Sequence, residues 1–201
     1  MKLGINSYTF MWSIGFQGAN PDYPGKAARP QKALTALDLL ETAHRLGVRV
    51  VQTGPNLPFE DLPAVEQERF IRRAKEFGIE LELGTRGLDY PHLENQVRLA
   101  ARMGARLIRT LPEIRGEYAT NARLIATAIE QVLPLLEREG MCLGIENGRI
   151  PAADLRAVLD QINSPNVGVV LDMVNSLAIP EGWKETTLQL APHTMCVHYK
   201  D

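Results

Sequence analysis

Hydrophobic and polar positions along this chain repeat with two different periods. Short apolar runs, often alternating, fall at Leu3–Tyr8, Val48–Thr53, Ile79–Gly84, Arg106–Leu111, Met141–Glu146, Val167–Asp172 and Thr194–Tyr199. These runs predict seven β-strands. The segments between them are longer, and their apolar residues return every three or four positions. They predict helices over Gln31–Leu46, Leu62–Phe77, Leu93–Met103, Asn121–Glu139, Ala153–Ile162 and Trp183–Ala191. The first shows the period well, with Leu34, Leu37, Leu40, Ala43 and Leu46 on one stripe. Gly47, Gly78, Gly104 and Gly140 follow four of these helices, where a left-handed C-terminal residue belongs. Ser164-Pro165 breaks the chain after another.

Strands that alternate with helices imply parallel β-α-β units, hence an α/β fold. An open doubly wound sheet usually carries its ligand site at one switch point. Here polar residues recur at the ends of nearly every strand: Asn6 and Tyr8, Gln52, Arg86, Arg109, Glu146, Asp172, His198. A ring of strand-end residues fits a barrel, whose active site draws on many strands. The expected architecture is therefore a (β/α)8 TIM-barrel type, incomplete, with seven strands present and the eighth βα unit missing. No composition shift marks a boundary, so residues 1–201 are expected to form one domain.

Three of those residues point to metal chemistry. Glu146, Asp172 and His198 each fall late in an apolar run, and 26 residues separate each from the next. That spacing is one strand–helix unit. Parallel strands bring all three to one rim, and alternation puts Glu146, Asp172 and His198 on the same inward face. Two carboxylates and an imidazole are the ligand set of a divalent cation. The competing readings are an interior ion pair of Glu146 with Arg109, a helix N-cap or turn role for Asp172, and a core histidine.

Composition narrows the function. The chain has 201 residues, 45% hydrophobic and 23% charged, with net charge −2. That balance offers no basic groove for nucleic acid and no polybasic tract for a membrane surface. The start, MKLGINSYTF, lacks a signal-peptide core, and no apolar stretch approaches the roughly 20 residues that span a bilayer. Cys142 and Cys196 lie inside predicted strands and read as reduced, buried thiols. A cytoplasmic location is expected.

The segments LGINSYTF, LELGTRG, LGIENG, VGVVLDMVNS and CVHYKD resemble, in order and spacing, the xylose isomerase-like superfamily of TIM barrels. The resemblance is to its sugar phosphate isomerase/epimerase branch and runs the length of the chain. It implies a divalent cation held by Glu, Asp, His and a further Glu. Glu146, Asp172 and His198 match the first three, and the fourth belongs to strand eight. Asn175 stands where members of the branch often carry a histidine that contacts substrate or metal. The resemblance further implies isomerisation, epimerisation or dehydration of a sugar, sugar acid or cyclitol. The cation (Mn²⁺, Mg²⁺, Co²⁺ or Zn²⁺) would stabilise an enediolate-type intermediate, with Glu146 doubling as a catalytic acid–base residue.

Other residues are candidates for substrate contact: Asn6, Tyr8, Arg86, Arg109, Asn175 and Lys200, with Gln52 a weaker one. Arg86 and Arg109 can grip hydroxyl or carboxylate groups in two-pronged fashion. Met11–Pro30, with Trp12, Phe16 and Tyr23, is long enough to be a functional lid, and Trp12 would cover substrate. Lacking strand eight, the 201-residue chain is expected to be nearly inactive. Open edges on strands one and seven would invite pairing with another chain, a homodimer included. Two other classes compete. A remnant or fragment would bind a ligand or partner without turnover. An endonuclease-IV-like repair enzyme would need more well-placed histidines and a basic surface.

Overall fold

A computed structural model of the chain describes residues 2–14, 32–113, 118–148 and 150–200. The described residues contain seven strands: β1 (Gly4–Asn6), β2 (Val50–Thr53), β3 (Glu80–Arg86), β4 (Leu107–Leu111), β5 (Cys142–Glu146), β6 (Val167–Asp172) and β7 (Thr194–His198). The α-helices are α1 (Met11–Ile14), α2 (Ala36–Arg45), α3 (Ala64–Phe77), α4 (Tyr90–Met103), α5 (Tyr118–Glu139), α6 (Ala152–Ile162) and α7 (Gly182–Leu190). All seven expected strands are present, each ending within two residues of its sequence-derived bounds. The chain divides into two compact units, Met1–Gly84 with Arg102–Ala105, and Thr85–Ala101 with Arg106–Asp201.

In the first unit β1, β2 and β3 pair in parallel, with Asn6 opposite Gln52 and Gln52 opposite Glu82. Leu39, Leu40 and Ala43 of α2 are fully buried, as are Val51 and Phe70. Phe70 of α3 meets Phe59 with ring centroids 5.4 Å apart, a tilted aromatic pair. Two boundaries differ from expectation for local reasons. β1 stops at Asn6 and not Tyr8, because the Asn6 side chain accepts from the Tyr8 N–H at 2.8 Å and turns the chain into a 3₁₀ turn. α2 begins at Ala36, because Thr35 and Asp38 form a reciprocal capping box that fixes the first turn there. Within the expected lid segment, residues 11–14 form the single helical turn α1, with Trp12 66% exposed. Phe16 and Tyr23 lie outside the described residues.

In the second unit β4, β5, β6 and β7 pair in parallel in that order. α5 packs on α6, and α6 on α7. Every residue of β6 is buried, the pattern of a strand covered on both faces. β7 differs. Its outward residues Met195 and Val197 are 38% and 47% exposed, where Val169 and Leu171 of β6 are buried. Close backbone approach explains Gly168, because a Cβ there would lie 2.6 Å from the His193 carbonyl oxygen. Helix ends follow the sequence: Gly78 closes α3 in the left-handed region (φ +62°), its N–H reaching the Ala74 and Lys75 carbonyls. Asn163 performs the same turn after α6.

No helix of the described residues is long and apolar enough to cross a membrane. Both cysteines are free, and they are half-buried rather than buried. Burial pushes the Cys142 thiol above its ordinary pKa.

Candidate metal centre

The second unit carries the rim built by the ends of β5, β6 and β7. Glu146 is the last residue of β5, Asp172 the last of β6 and His198 the last of β7. Register brings them together, since Asp172 pairs directly with His198 across the β6–β7 ladder. An irregularity between Val169 and Val170 adjusts this ladder so that the two ligand-type residues face one another. One donor atom from each of Glu146, Asp172 and His198 lies within 4.8 Å of the others. Glu146 and Asp172 are 1% and 0% exposed.

Each carboxylate is divided between two tasks. Asp172 Oδ1 accepts the backbone N–H groups of Val174 and Asn175, both at 3.0 Å. This is the turn-capping role expected of an aspartate at a strand end. Asp172 Oδ2 is buried and has no partner besides Lys200, whose Nζ forms an ion pair with it. Glu146 Oε1 accepts the Asn175 side-chain amide at 3.0 Å. Glu146 Oε2 accepts from Arg109 Nε, and His198 Nδ1 lies 3.3 Å from it. Arg109 is buried and also donates to the Thr85 carbonyl at 3.3 Å.

Burial pushes the Glu146 carboxyl toward the neutral form, but the His198 hydrogen bond and the Arg109 charge outweigh it. The carboxyl is held well below the ordinary range. The Glu146–Arg109 pair and the capping role of Asp172, raised from sequence as alternatives to ligation, are thus both present. They coexist with the converged donors.

Asn147 was not singled out from the sequence. Its side chain copies a strand backbone: Oδ1 accepts the Asp172 N–H at 2.6 Å and Nδ2 donates to the Asp172 carbonyl at 3.0 Å. Nδ2 also lies 3.1 Å from Ser176 Oγ, which donates to the same Asp172 carbonyl at 3.2 Å. All three residues are fully buried. Its signals in the sequence were its place directly after Glu146 and within the segment LGIENG, where a buried amide reads like an ordinary turn residue.

The remaining candidates are placed as follows. Arg86 ends β3 in the second unit and is half-buried. Asn6, Tyr8 and Trp12 belong to the first unit, where Asn6 donates to the Gln52 side chain. Gln52 in turn donates to Glu82 Oε2 at 2.9 Å. His92, one of the four histidines of the chain, is half-buried with Nε2 2.8 Å from Thr85 Oγ1.

A divalent cation fits these donors. Metal–ligand bonds of about 2.0–2.6 Å separate ligand atoms by up to about 5 Å, which covers the spacing seen here. The buried Asp172 Oδ2, whose one partner is the half-exposed Lys200, is the oxygen such an ion would take. The mixed oxygen and nitrogen donors suit Mn²⁺, Mg²⁺, Co²⁺ or Zn²⁺.

Residues 40–201 match the xylose isomerase-like TIM barrel family, and the chain belongs to it. The fold is accordingly α/β of the TIM-barrel type, with seven parallel strands. The chain is 32% identical over 202 residues to 3-oxo-isoapionate decarboxylase of Pectobacterium atrosepticum, covering all of this chain and 69% of that protein. It is similar to the crystal structure of D-psicose 3-epimerase in the presence of D-fructose, with a TM-score of 0.74 and 16% identity, over 98% of this chain and 72% of the other. It is also similar to the probable 3-DHS dehydratase AsbF of Bacillus anthracis, with a TM-score of 0.71 and 17% identity, over 100% and 73%.

Proposed function

We propose that this chain carries the metal-binding rim of an enzyme acting on a sugar, sugar acid or cyclitol through an enediolate-type intermediate. Isomerisation, epimerisation and dehydration are the reactions in view, in a single cytoplasmic domain. The observation that carries the reading is the convergence of buried Glu146, buried Asp172 and His198, one donor atom from each lying within 4.8 Å of the others. Glu146, Asp172 and His198 would hold the cation. When bound, it supplies a Lewis acid that draws electron density toward a substrate carbonyl.

The residues of the chain do the rest. Val174 and Asn175 fix Asp172 through its Oδ1, leaving Oδ2 to face the centre. Arg109 keeps Glu146 ionised, and Asn175 holds its Oε1. Arg86, Arg109, Asn175 and Lys200 are the candidate substrate contacts of this unit, and Asn6, Tyr8 and Trp12 those of the other.

One observation favours a second reaction at the same site. Glu146 accepts from Arg109 and Asn175 and lies against His198, and a carboxylate so engaged is a weak base. Loss of CO₂ from a 3-oxo sugar acid needs charge stabilisation on the carbonyl oxygen but no base at carbon. The relative at 32% identity is named for a decarboxylation of that kind. The deciding test is a Mn²⁺ titration of the purified chain followed by electron paramagnetic resonance. One tight site, lost in Asp172→Asn, is expected. Absence of any site would overturn both reactions. A panel of ketoses, cyclitols and 3-oxo acids, with CO₂ detection, then separates them.

A further inference from the structure

We propose that Lys200 is an exchangeable counter-cation. It neutralises Asp172 while the centre holds no metal, and it turns to the carboxylate of an acidic substrate once a divalent cation arrives. This rests on the metal-binding reading above and adds to it the charge class of the substrate.

The first observation is competition for one atom. Lys200 Nζ contacts Asp172 Oδ2, a buried oxygen with no other partner, on one of the three residues whose donors converge. Asp172 Oδ1 is already committed to the Val174 and Asn175 N–H groups. Oδ2 is therefore the oxygen left for a cation, and an ammonium and a divalent ion against it repel one another.

The second observation is that the two partners differ in freedom. The Asp172 side chain is 0% exposed, whereas that of Lys200 is 46% exposed. Lys200 lies two residues beyond His198, past the end of β7, on the inward side by strand alternation. A lysine is a compact charge on a flexible stem, able to swing without moving the backbone. Arg109 cannot do the same, because it is buried and bonded to both Glu146 and the Thr85 carbonyl.

The third is the balance of charge. Glu146 and Asp172 are offset by Arg109 and Lys200 before any metal is present. A divalent cation leaves the rim two charges in excess, and a fourth carboxylate ligand of the kind the family resemblance implies would still leave one. The released ammonium then stands beside an electropositive centre. An anionic ligand satisfies both, and a neutral ketose satisfies neither.

The test uses the 201-residue chain with Mn²⁺ alone, then glycolate and hydroxyacetone as an acidic and a neutral probe, each with a hydroxyl beside a carbonyl carbon. Wild type, Lys200→Met and Lys200→Arg are compared, with thermal melts confirming that each is folded. Removing the competing ammonium should tighten Mn²⁺ about fivefold in Lys200→Met, the scale of a half-exposed ion pair. The Mn²⁺-loaded wild type should prefer glycolate to hydroxyacetone by about tenfold. Lys200→Met should lose that preference and Lys200→Arg should keep most of it. Unchanged or weaker Mn²⁺ binding in Lys200→Met would overturn the exchange. A wild type that binds both probes equally would overturn the acidic substrate. Failure of Mn²⁺ to bind any variant would instead sink the metal centre itself.

Discussion

Two polar constructions at strand ends and strand faces can be set side by side. In the first unit, Asn6, Gln52 and Glu82 stand opposite one another on β1, β2 and β3 and form a chain of hydrogen bonds. Each amide end used in that chain has a partner, Asn6 Oδ1 included, through Tyr8. In the second unit, Arg109, Glu146, Asp172, His198 and Lys200 crowd one rim, and the buried Asp172 Oδ2 is met only by the half-exposed Lys200. The first construction is closed and satisfied, as a structural polar network should be. The second holds concentrated charge, with one buried acceptor tied only to a half-exposed lysine. That surplus, more than polarity itself, is what separates a candidate site from well-filled interior.

The strongest way to break the comparison is Arg109→Met. It leaves Glu146 as a buried charge without its cation, and about 3–5 kcal/mol of stability should be lost in urea unfolding. Acid titration sharpens it. Because the folded Glu146 pKa lies below the ordinary value of 4.5, its contribution is complete above that pH and is lost progressively as pH falls below it. Arg109→Met should shrink that acid loss. If the variant unfolds at the wild-type urea midpoint, the pair carries no weight.

Next in size is Asp172→Asn, which keeps an oxygen for the Val174 and Asn175 caps but removes the anionic donor. Mn²⁺ affinity should fall by about 100-fold or more, with melting nearly unchanged. Equal affinity would remove Asp172 from the ligand set. Asn147→Ala comes third. It strips the amide that grips both backbone groups of Asp172, so about 2 kcal/mol of stability and about tenfold in Mn²⁺ affinity should go together. A loss of stability alone would make Asn147 purely structural. The smallest effect should be Gln52→Met in the first unit. About 1–2 kcal/mol of stability is expected to be lost, with Mn²⁺ binding untouched. A change in metal affinity there would mean that the closed chain is not merely structural.

Much of this was legible before any coordinates. Strand–helix alternation is a period-2 against period-3.6 contrast, and it marked β5, β6 and β7 to within a residue or two. The even spacing of Glu146, Asp172 and His198 then placed them on one rim. Capping chemistry was harder, because it depends on one local hydrogen bond. Asn6 ended β1 early and Thr35 with Asp38 delayed α2 for that reason. Asn147 left no periodic trace at all. Its importance lies in bonds to the backbone of a residue 25 positions away, which no local pattern encodes. The exposed outer face of β7 was likewise invisible, since Met195 and Val197 read like the buried Val169 and Leu171.

The two N–H groups on Asp172 Oδ1 have a thermodynamic consequence. They freeze the rotor of that carboxylate before any ligand arrives, so Oδ2 has almost no orientational freedom left to surrender. Association at such a preorganised oxygen forfeits little conformational entropy. Calorimetry of cation binding should therefore report chiefly the release of water from the ion and the displacement of Lys200, with little ordering of Asp172 itself.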